Sequence, residues 1–301
     1  MNKSAAHYSL WIKWSAETRV PEPELLHLGS FFMPITDKLA NSLLFRSIVK
    51  SLRIPDLITA WFRRFPKVVS LPPHGIKYRV RAFESLLVER EVFSSDFYAE
   101  IMDPARVETF ADLGCNRGLF SAYVISRSAA GRSVRGIMAD ADEAMRQDCE
   151  WIVDSNGLGG VRFFRGAAGV ESADGFVRFE VAATDVGSHV SFDGIKAPGE
   201  SPVKVVQVPV LKIGTLWNET VGAGVRCNLL KVDIEGAERD FFRIEREFLL
   251  LVDQVIVEIH HYFAPPDRVL EDAAAAGFVL VRHKPVAEGV SIACLSRKSD
   301  E

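Results

Sequence analysis

Three apolar stretches of this 301-residue chain end in carboxylates, and those carboxylates could do chemistry. The first reads Phe110-Ala-Asp-Leu-Gly-Cys-Asn-Arg-Gly118, an acid followed by a Gly-x-x-x-Gly turn. Glycine has no Cβ and tolerates unusual φ, so such a turn lets a nucleotide-like ligand approach the backbone. The second reads Leu230-Lys-Val-Asp-Ile-Glu-Gly-Ala-Glu238. Asp233 and Glu235 are two apart, and in extended backbone they face the same way. Two carboxylates on one face are costly unless they hold a cation, a metal or a substrate hydroxyl. The third reads Val257-Glu-Ile-His-His261, where Glu258 and His260 again share a face. An imidazole titrates near neutrality, so His260 is a candidate general base for a hydroxyl.

The acid at Asp112 decides what the glycine turn is for. A dinucleotide site wants Gly-x-Gly-x-x-Gly facing a pyrophosphate. Here the spacing differs, the third glycine is missing, and a carboxylate would repel phosphate. It would balance a cation instead. S-adenosylmethionine, with its ammonium and sulfonium charges and no phosphate, suits that chemistry. A second acid, Asp140, ends the next apolar run and is placed to accept both hydroxyls of a ribose. Asp233, Glu235, Glu258 and His260 could also ligate a divalent cation. Nothing in their spacing fixes a ligand geometry, and no metal is expected. Glu238 fits equally well as a helix N-terminal acid.

These groups need strand ends to hold them. From about residue 106 the pattern alternates strand and helix, as in a parallel α/β sheet. Strands are expected at Thr109–Leu113, Val134–Ala139, Val161–Arg165, Leu229–Ile234 and Gln254–His260. Helices are expected to about Ser128 and over Glu143–Ser155, Ala237–Leu250 and Pro266–Ala276. Phe176–Val181 and Val203–Val208 read as an inserted hairpin around a Gly/Ser/Pro-rich loop, Thr184–Pro202, that contains His189. That histidine could join the site if the loop closes as a lid, although a solvent-exposed loop residue is the simpler expectation. Phe278–His283 and Val290–Ser296 are joined too tightly for a crossover helix, so that pair is expected to be antiparallel.

Upstream, helices are expected over Leu39–Arg53, Leu57–Phe65 and Glu84–Met102, with an alternating strand at Ile76–Phe83. Arg46, Lys50, Arg53, Arg63, Arg64 and Lys67 make residues 43–69 basic and amphipathic. Two helices packed on the catalytic domain with a solvated basic face explain this better than an anionic membrane surface. Residues 1–105 therefore read as a largely helical extension and 106–301 as the catalytic domain. A net charge of −4 argues against a nucleic-acid partner. Four scattered cysteines form no metal or disulfide motif. With no signal-peptide or transmembrane run, a cytoplasmic protein is expected. Oligomeric state is not legible.

The Asp112–Gly118 turn, Asp140-Ala-Asp142, Asn156-Gly-Leu, the Lys231–Glu238 block and Glu258-Ile-His260 together resemble the FkbM-type methyltransferases, a branch of the class I S-adenosylmethionine-dependent enzymes. The resemblance covers about residues 76–296. Cys115-Asn-Arg stands where Ala-Asn-x is more usual, and Asp140 where a Glu is usual. The resemblance implies a Rossmann-like sheet of seven strands, one antiparallel, and O-methylation of a hydroxyl on a sugar or secondary metabolite. On that reading Gly114 and Gly118 let the cofactor approach. Asp112 and Asn116 address its methionine end, Asp140 the ribose, and Asn156 the adenine side. Asp233, Glu235 and His260 carry the proton and hydroxyl work. The rivals are an NAD(P)-dependent oxidoreductase and an inactive methyltransferase-like scaffold or membrane-surface adaptor.

Overall fold

The computed structural model describes residues 54–94, 98, 102–182, 188–191 and 204–298. The expected helix over 39–53 and most of the 184–202 loop lie outside them. Helix α1 (Ile54–Arg64) is followed by a hairpin of β1 (Lys67–Leu71) and β2 (Ile76–Val80), then α2 (Phe83–Ser94). Pro55 was expected to precede α1, but it sits in the helix's first turn, where the missing N–H costs nothing. Strand β1 was not expected; its valines alternate and pair antiparallel with β2 from Lys67↔Val80 to Leu71↔Ile76.

The alternating part runs β3 (Thr109–Leu113), α3 (Leu119–Arg127), β4 (Arg135–Asp140), α4 (Glu143–Asn156) and β5 (Val161–Arg165). An insertion of β6 (Phe176–Val181), β7 (His189–Val190) and β8 (Lys204–Pro209) follows. The chain then continues through α5 (Ile213–Thr220), β9 (Cys227–Val232), α6 (Glu238–Ile244), α7 (Arg246–Leu249), β10 (Val252–His260), α8 (Pro266–Ala275), β11 (Phe278–Ala287) and β12 (Val290–Arg297). The single helix expected over 237–250 is broken at Glu245, and α5 was missed.

Seven strands form one sheet in the order β11-β12-β10-β9-β3-β4-β5. β3, β4, β5, β9 and β10 are mutually parallel; β12 runs antiparallel to both β10 and β11. This is the expected sheet with one antiparallel strand. Alternate residues feed two cores. Phe110, Met138, Leu229 and Ile256 pack on the face that carries α3, α4 and the β1–β2 hairpin. Leu113, Ile137, Leu230 and Val255 pack on the face that carries α5 to α8. Each such side chain, fully buried, contributes about 1.5–3 kcal/mol. The inserted strands make a separate three-stranded antiparallel sheet, β7-β6-β8, where a hairpin was expected.

After β5 the chain returns to the other side of β3, so the strand order reverses between β3 and β9. Ligands of open α/β sheets bind at the carboxyl ends of strands at such a reversal.

Candidate active site

Asp112, at the end of β3, is fully buried. Its Oδ2 accepts the Ser121 hydroxyl at 2.6 Å. Its Oδ1 is buried and has no hydrogen-bond partner among the described residues. Burial raises its pKa; the charge of Lys231 and the Ser121 hydrogen bond only partly offset that. The turn that follows is pinned to the neighbouring strand, because the N–H groups of Gly114 and Cys115 both donate to the Ala139 carbonyl, at 2.8 and 3.0 Å.

Asn116 stands in left-handed backbone (φ 49°). Its N–H donates to Asp140 Oδ2 at 2.8 Å, and the Asp142 N–H donates to Asp140 Oδ1 at 2.8 Å. The Asn116 side chain turns back to accept the Arg117 N–H at 2.7 Å. Burial, outweighing those two backbone donors, pushes the Asp140 pKa up to about 7.

The glycines have a different first duty from the one expected. A Cβ on Gly114 would lie 1.6 Å from the Asp233 backbone carbonyl oxygen, so this glycine lets the ends of β3 and β9 cross. A Cβ on Gly118 would lie 3.0 Å from Ile152 Cδ1, and its left-handed backbone (φ 75°) opens α3. Asn156 does not join the group. It is buried at the far end of α4, and its amide spans the Lys77 backbone: Oδ1 accepts the N–H at 2.7 Å and Nδ2 donates to the carbonyl at 2.8 Å. It fastens β2 to α4. The helix-end Asn-Gly pair, with Gly157 left-handed as the cap, accounts for its place in the sequence.

Across the reversal, the Asp233 N–H donates to the Leu113 carbonyl at 2.9 Å. Strand β9 ends at Val232, so the extended alternation expected for Asp233 and Glu235 does not hold. The two carboxylates go to different partners. Asp233 Oδ2 accepts from the buried Lys231 Nζ at 2.8 Å. Burial works against the lysine's charge, but Asp233 and Asp112 outweigh it and hold its pKa well above the usual value. Glu235, in left-handed backbone (φ 49°), places Oε2 3.3 Å from His260 Nε2.

Glu238 belongs to this cluster, although the sequence reading divided it evenly between site and helix terminus. It is buried. Oε1 accepts the Ile234 N–H and Oε2 the Gly236 N–H, each at 2.8 Å, and His260 Nδ1 lies 3.2 Å from Oε1. Glu258 Oε1 is 3.9 Å from His260 Nε2. Burial alone would lower the His260 pKa; Glu235, Glu238 and Glu258 together reverse that and hold it well above the ordinary histidine value. Ligand atoms of Asp233, Glu238 and His260 all lie within 4.8 Å of one another, which suits a metal ion. Glu238 thus replaces Glu235 and Glu258 in the metal set considered from sequence, and every member of the new set already has a protein partner.

His189 lies in β7, not in a solvated loop. Its ring stands 5.6 Å from that of Phe263, and Nε2 is 3.5 Å from Glu180 Oε2. Val190, Phe179 and Val208 pack with Ile234 and Ala237, so the inserted sheet walls the β9–α6 loop.

The strand order, with its one reversed strand and a site at the β3/β9 switch, defines the class I methyltransferase fold. The chain belongs to the FkbM methyltransferases: the model of the methyltransferase FkbM domain matches residues 112–280. Among curated proteins none matches it. Similar solved structures include a fibrillarin pre-rRNA processing protein from Methanococcus jannaschii (10% identity, 79% of this chain and 85% of that one, TM-score 0.44). Others are an O-methyltransferase family protein from Burkholderia thailandensis (13%, 89% and 68%, 0.40) and an O-methyltransferase from neocarzinostatin biosynthesis in complex with S-adenosylmethionine and 2-hydroxy-5-methyl naphthoic acid (11%, 72% and 57%, 0.40). Among the described residues no helix is long and apolar enough to cross a membrane.

Proposed function

We propose that this chain is an S-adenosylmethionine-dependent O-methyltransferase whose acceptor is a hydroxyl of a sugar or secondary metabolite. The observation that carries the reading is the set of carboxylate oxygens at the β3 and β4 ends. Asp112 keeps a buried Oδ1 with no hydrogen-bond partner among the described residues. Among the described residues, the hydrogen bonds to Asp140 come from the backbone N–H groups of Asn116 and Asp142. An ammonium at the first and ribose hydroxyls at the second fit those acceptors. A pyrophosphate would instead face Asp112, Asp140, Asp142 and Asp233, which disfavours the dinucleotide rival.

When bound, S-adenosylmethionine supplies a methyl group already activated by its sulfonium. The chain's own residues then have to align the acceptor and take its proton. The Gly114–Gly118 turn and Asp140 hold the cofactor end. His260 is the base: Glu238 fixes Nδ1 as the donor, so the neutral ring offers Nε2 to the acceptor hydroxyl. Glu235, beside Nε2, orients that hydroxyl or receives its hydrogen bond. Lys231 holds the Asp233 carboxylate in place through its 2.8 Å contact. Residues 106–301 form the catalytic domain, and residues 1–105 the extension.

Isothermal titration with S-adenosylhomocysteine tests the cofactor half. Wild type should bind, and Asp140→Ala should bind at least about tenfold more weakly, the loss of hydrogen bonds to a charged group. Equal affinity in the variant removes Asp140 from the ribose. Binding of NADH in place of the thioether overturns the whole reading.

A further inference from the structure

Helix α1 has two apolar stripes where a surface helix needs one. The first stripe does ordinary work: Phe62 packs against the core, and Thr59 Oγ1 accepts the Phe83 N–H at 3.0 Å, which ties α1 to α2. The second stripe, Leu57, Trp61 and Phe65 at four-residue spacing, is 65%, 63% and 54% exposed. Val68, at the start of β1, continues it at 52%. The Trp61 and Phe65 rings contact each other, with centroids 4.8 Å apart, and the Arg64 guanidinium stands 5.5 Å from the centre of the Phe65 ring.

The charge around this stripe is one-sided. Residues 41–77 carry seven Lys or Arg and a single acid, Asp56, in a chain whose net charge is −4. Of the seven, Arg64 and Lys67 adjoin the stripe beside Phe65 and Val68, and Arg63 lies further round the same helix.

Against the expectation from sequence, and on the exposure of these apolar side chains, we propose that the α1 face of Leu57, Trp61, Phe65 and Val68, rimmed by Arg64 and Lys67, docks the protein peripherally on an anionic lipid surface. Aromatic side chains favour the headgroup boundary, and a basic rim is attracted to anionic headgroups. A second copy of the chain fits less well. A two-fold interface through this stripe would bring the basic rims of Arg64 and Lys67 of both copies together. A nucleic acid would use the basic rim and leave Leu57 and Val68 in water. This docking is independent of the methyl-transfer assignment.

The test is co-sedimentation of the full chain with vesicles of phosphatidylcholine alone and with roughly a third phosphatidylserine, a composition rich enough to set up the surface potential. Binding should be about tenfold stronger on the anionic vesicles and should fall steeply with added salt. Trp61→Ser with Phe65→Ser should abolish it on both compositions, and Arg63→Glu with Arg64→Glu should abolish the preference. Thermal melts of both variants check that they fold. No sedimentation, equal binding to both compositions, or unchanged binding in both variants overturns the proposal. So does a concentration-dependent dimer, or binding to a single-stranded RNA, that is lost with Trp61 and Phe65 while vesicles are ignored.

Discussion

The two ends of the site hold their carboxylates by opposite means. At the ends of β3 and β4 the donors to Asp140 are backbone N–H groups, which carry no charge and do not titrate. At the ends of β9 and β10 the partners are side-chain cations, Lys231 for Asp233 and His260 for Glu235 and Glu238. The first end is shaped by backbone, with Lys231 as a charge that Asp112 shares with the second end. The second balances its charge internally, and its His260 can give up a proton. That is the division a methyl transfer needs, with a cationic donor received on one side and a proton removed on the other. The ends meet at Gly114, whose missing side chain makes room for the Asp233 carbonyl.

The sharpest way to break the comparison is at that contact. Gly114→Ala places a methyl where the Asp233 carbonyl stands, in backbone at φ 73°. Overpacking and left-handed strain together are expected to cost more than about 3 kcal/mol. A chemical denaturation curve should show a collapsed midpoint or no folded state. A stable, active Gly114→Ala would mean that the two ends are not locked together.

The next effect is confined to the acceptor end. His260→Ala should lower methyl transfer by about 10²–10⁴-fold, the range for a positioned base, with S-adenosylhomocysteine affinity unchanged. In wild type the base must first lose a proton that its carboxylate neighbours hold. Activity should therefore rise with pH, its midpoint lying above the ordinary histidine pKa of about 6.5. Glu238→Gln removes one raising charge, so the midpoint should move to lower pH. A midpoint that stays put would show that Glu238 only shapes the loop.

A smaller effect separates scaffold from site. Asn156→Ala strands the Lys77 N–H and carbonyl and should cost about 1–3 kcal/mol of stability. Affinity for S-adenosylhomocysteine should not change. If affinity falls while the melting temperature holds, Asn156 serves the cofactor end after all.

The order of strands was legible because each is a short apolar run with an acid or glycine at its end, as in Thr109–Leu113 and Val161–Arg165. Strand β1 was not legible, since three prolines around Lys67–Leu71 hid its alternation. The break at Glu245 was hidden by a continuous helical pattern across Phe241, Phe242, Phe248 and Leu249. At the site, spacing gave the right neighbours and the wrong pairings. Asp233 and Glu235 are two apart, but the strand stops at Val232, and a left-handed residue then sends Glu235 to His260. No periodicity encodes such a turn. The only local hint is Gly236 followed two residues later by Glu238, whose carboxylate closes the loop on the Gly236 N–H. For Asn156, the Asn-Gly pair is also an ordinary helix end, and its amide bonds the Lys77 backbone.

The finest distinction lies in Asp140 itself. Its folded pKa, about 7, is raised from 3.8 because burial outweighs its two backbone donors. A raised acid favours the folded state most when protonated. Its contribution is complete below the unfolded value and is lost as pH climbs from about 4 toward 7. On the proposed assignment ligand binding has the opposite sign, because ribose hydroxyls would donate to the carboxylate. Affinity for S-adenosylhomocysteine should therefore rise as pH increases through 7 and level off above it. Below 7 the loss is at most about tenfold per pH unit, as expected for one titrating group. Binding near pH 6.5 should release a fraction of a proton, so the calorimetric enthalpy should depend on the buffer's ionisation heat. Asp140→Asn should bind more weakly, with neither the pH slope nor the buffer dependence. A slope that survives in Asp140→Asn would assign it to another group, with Asp112 the next to test.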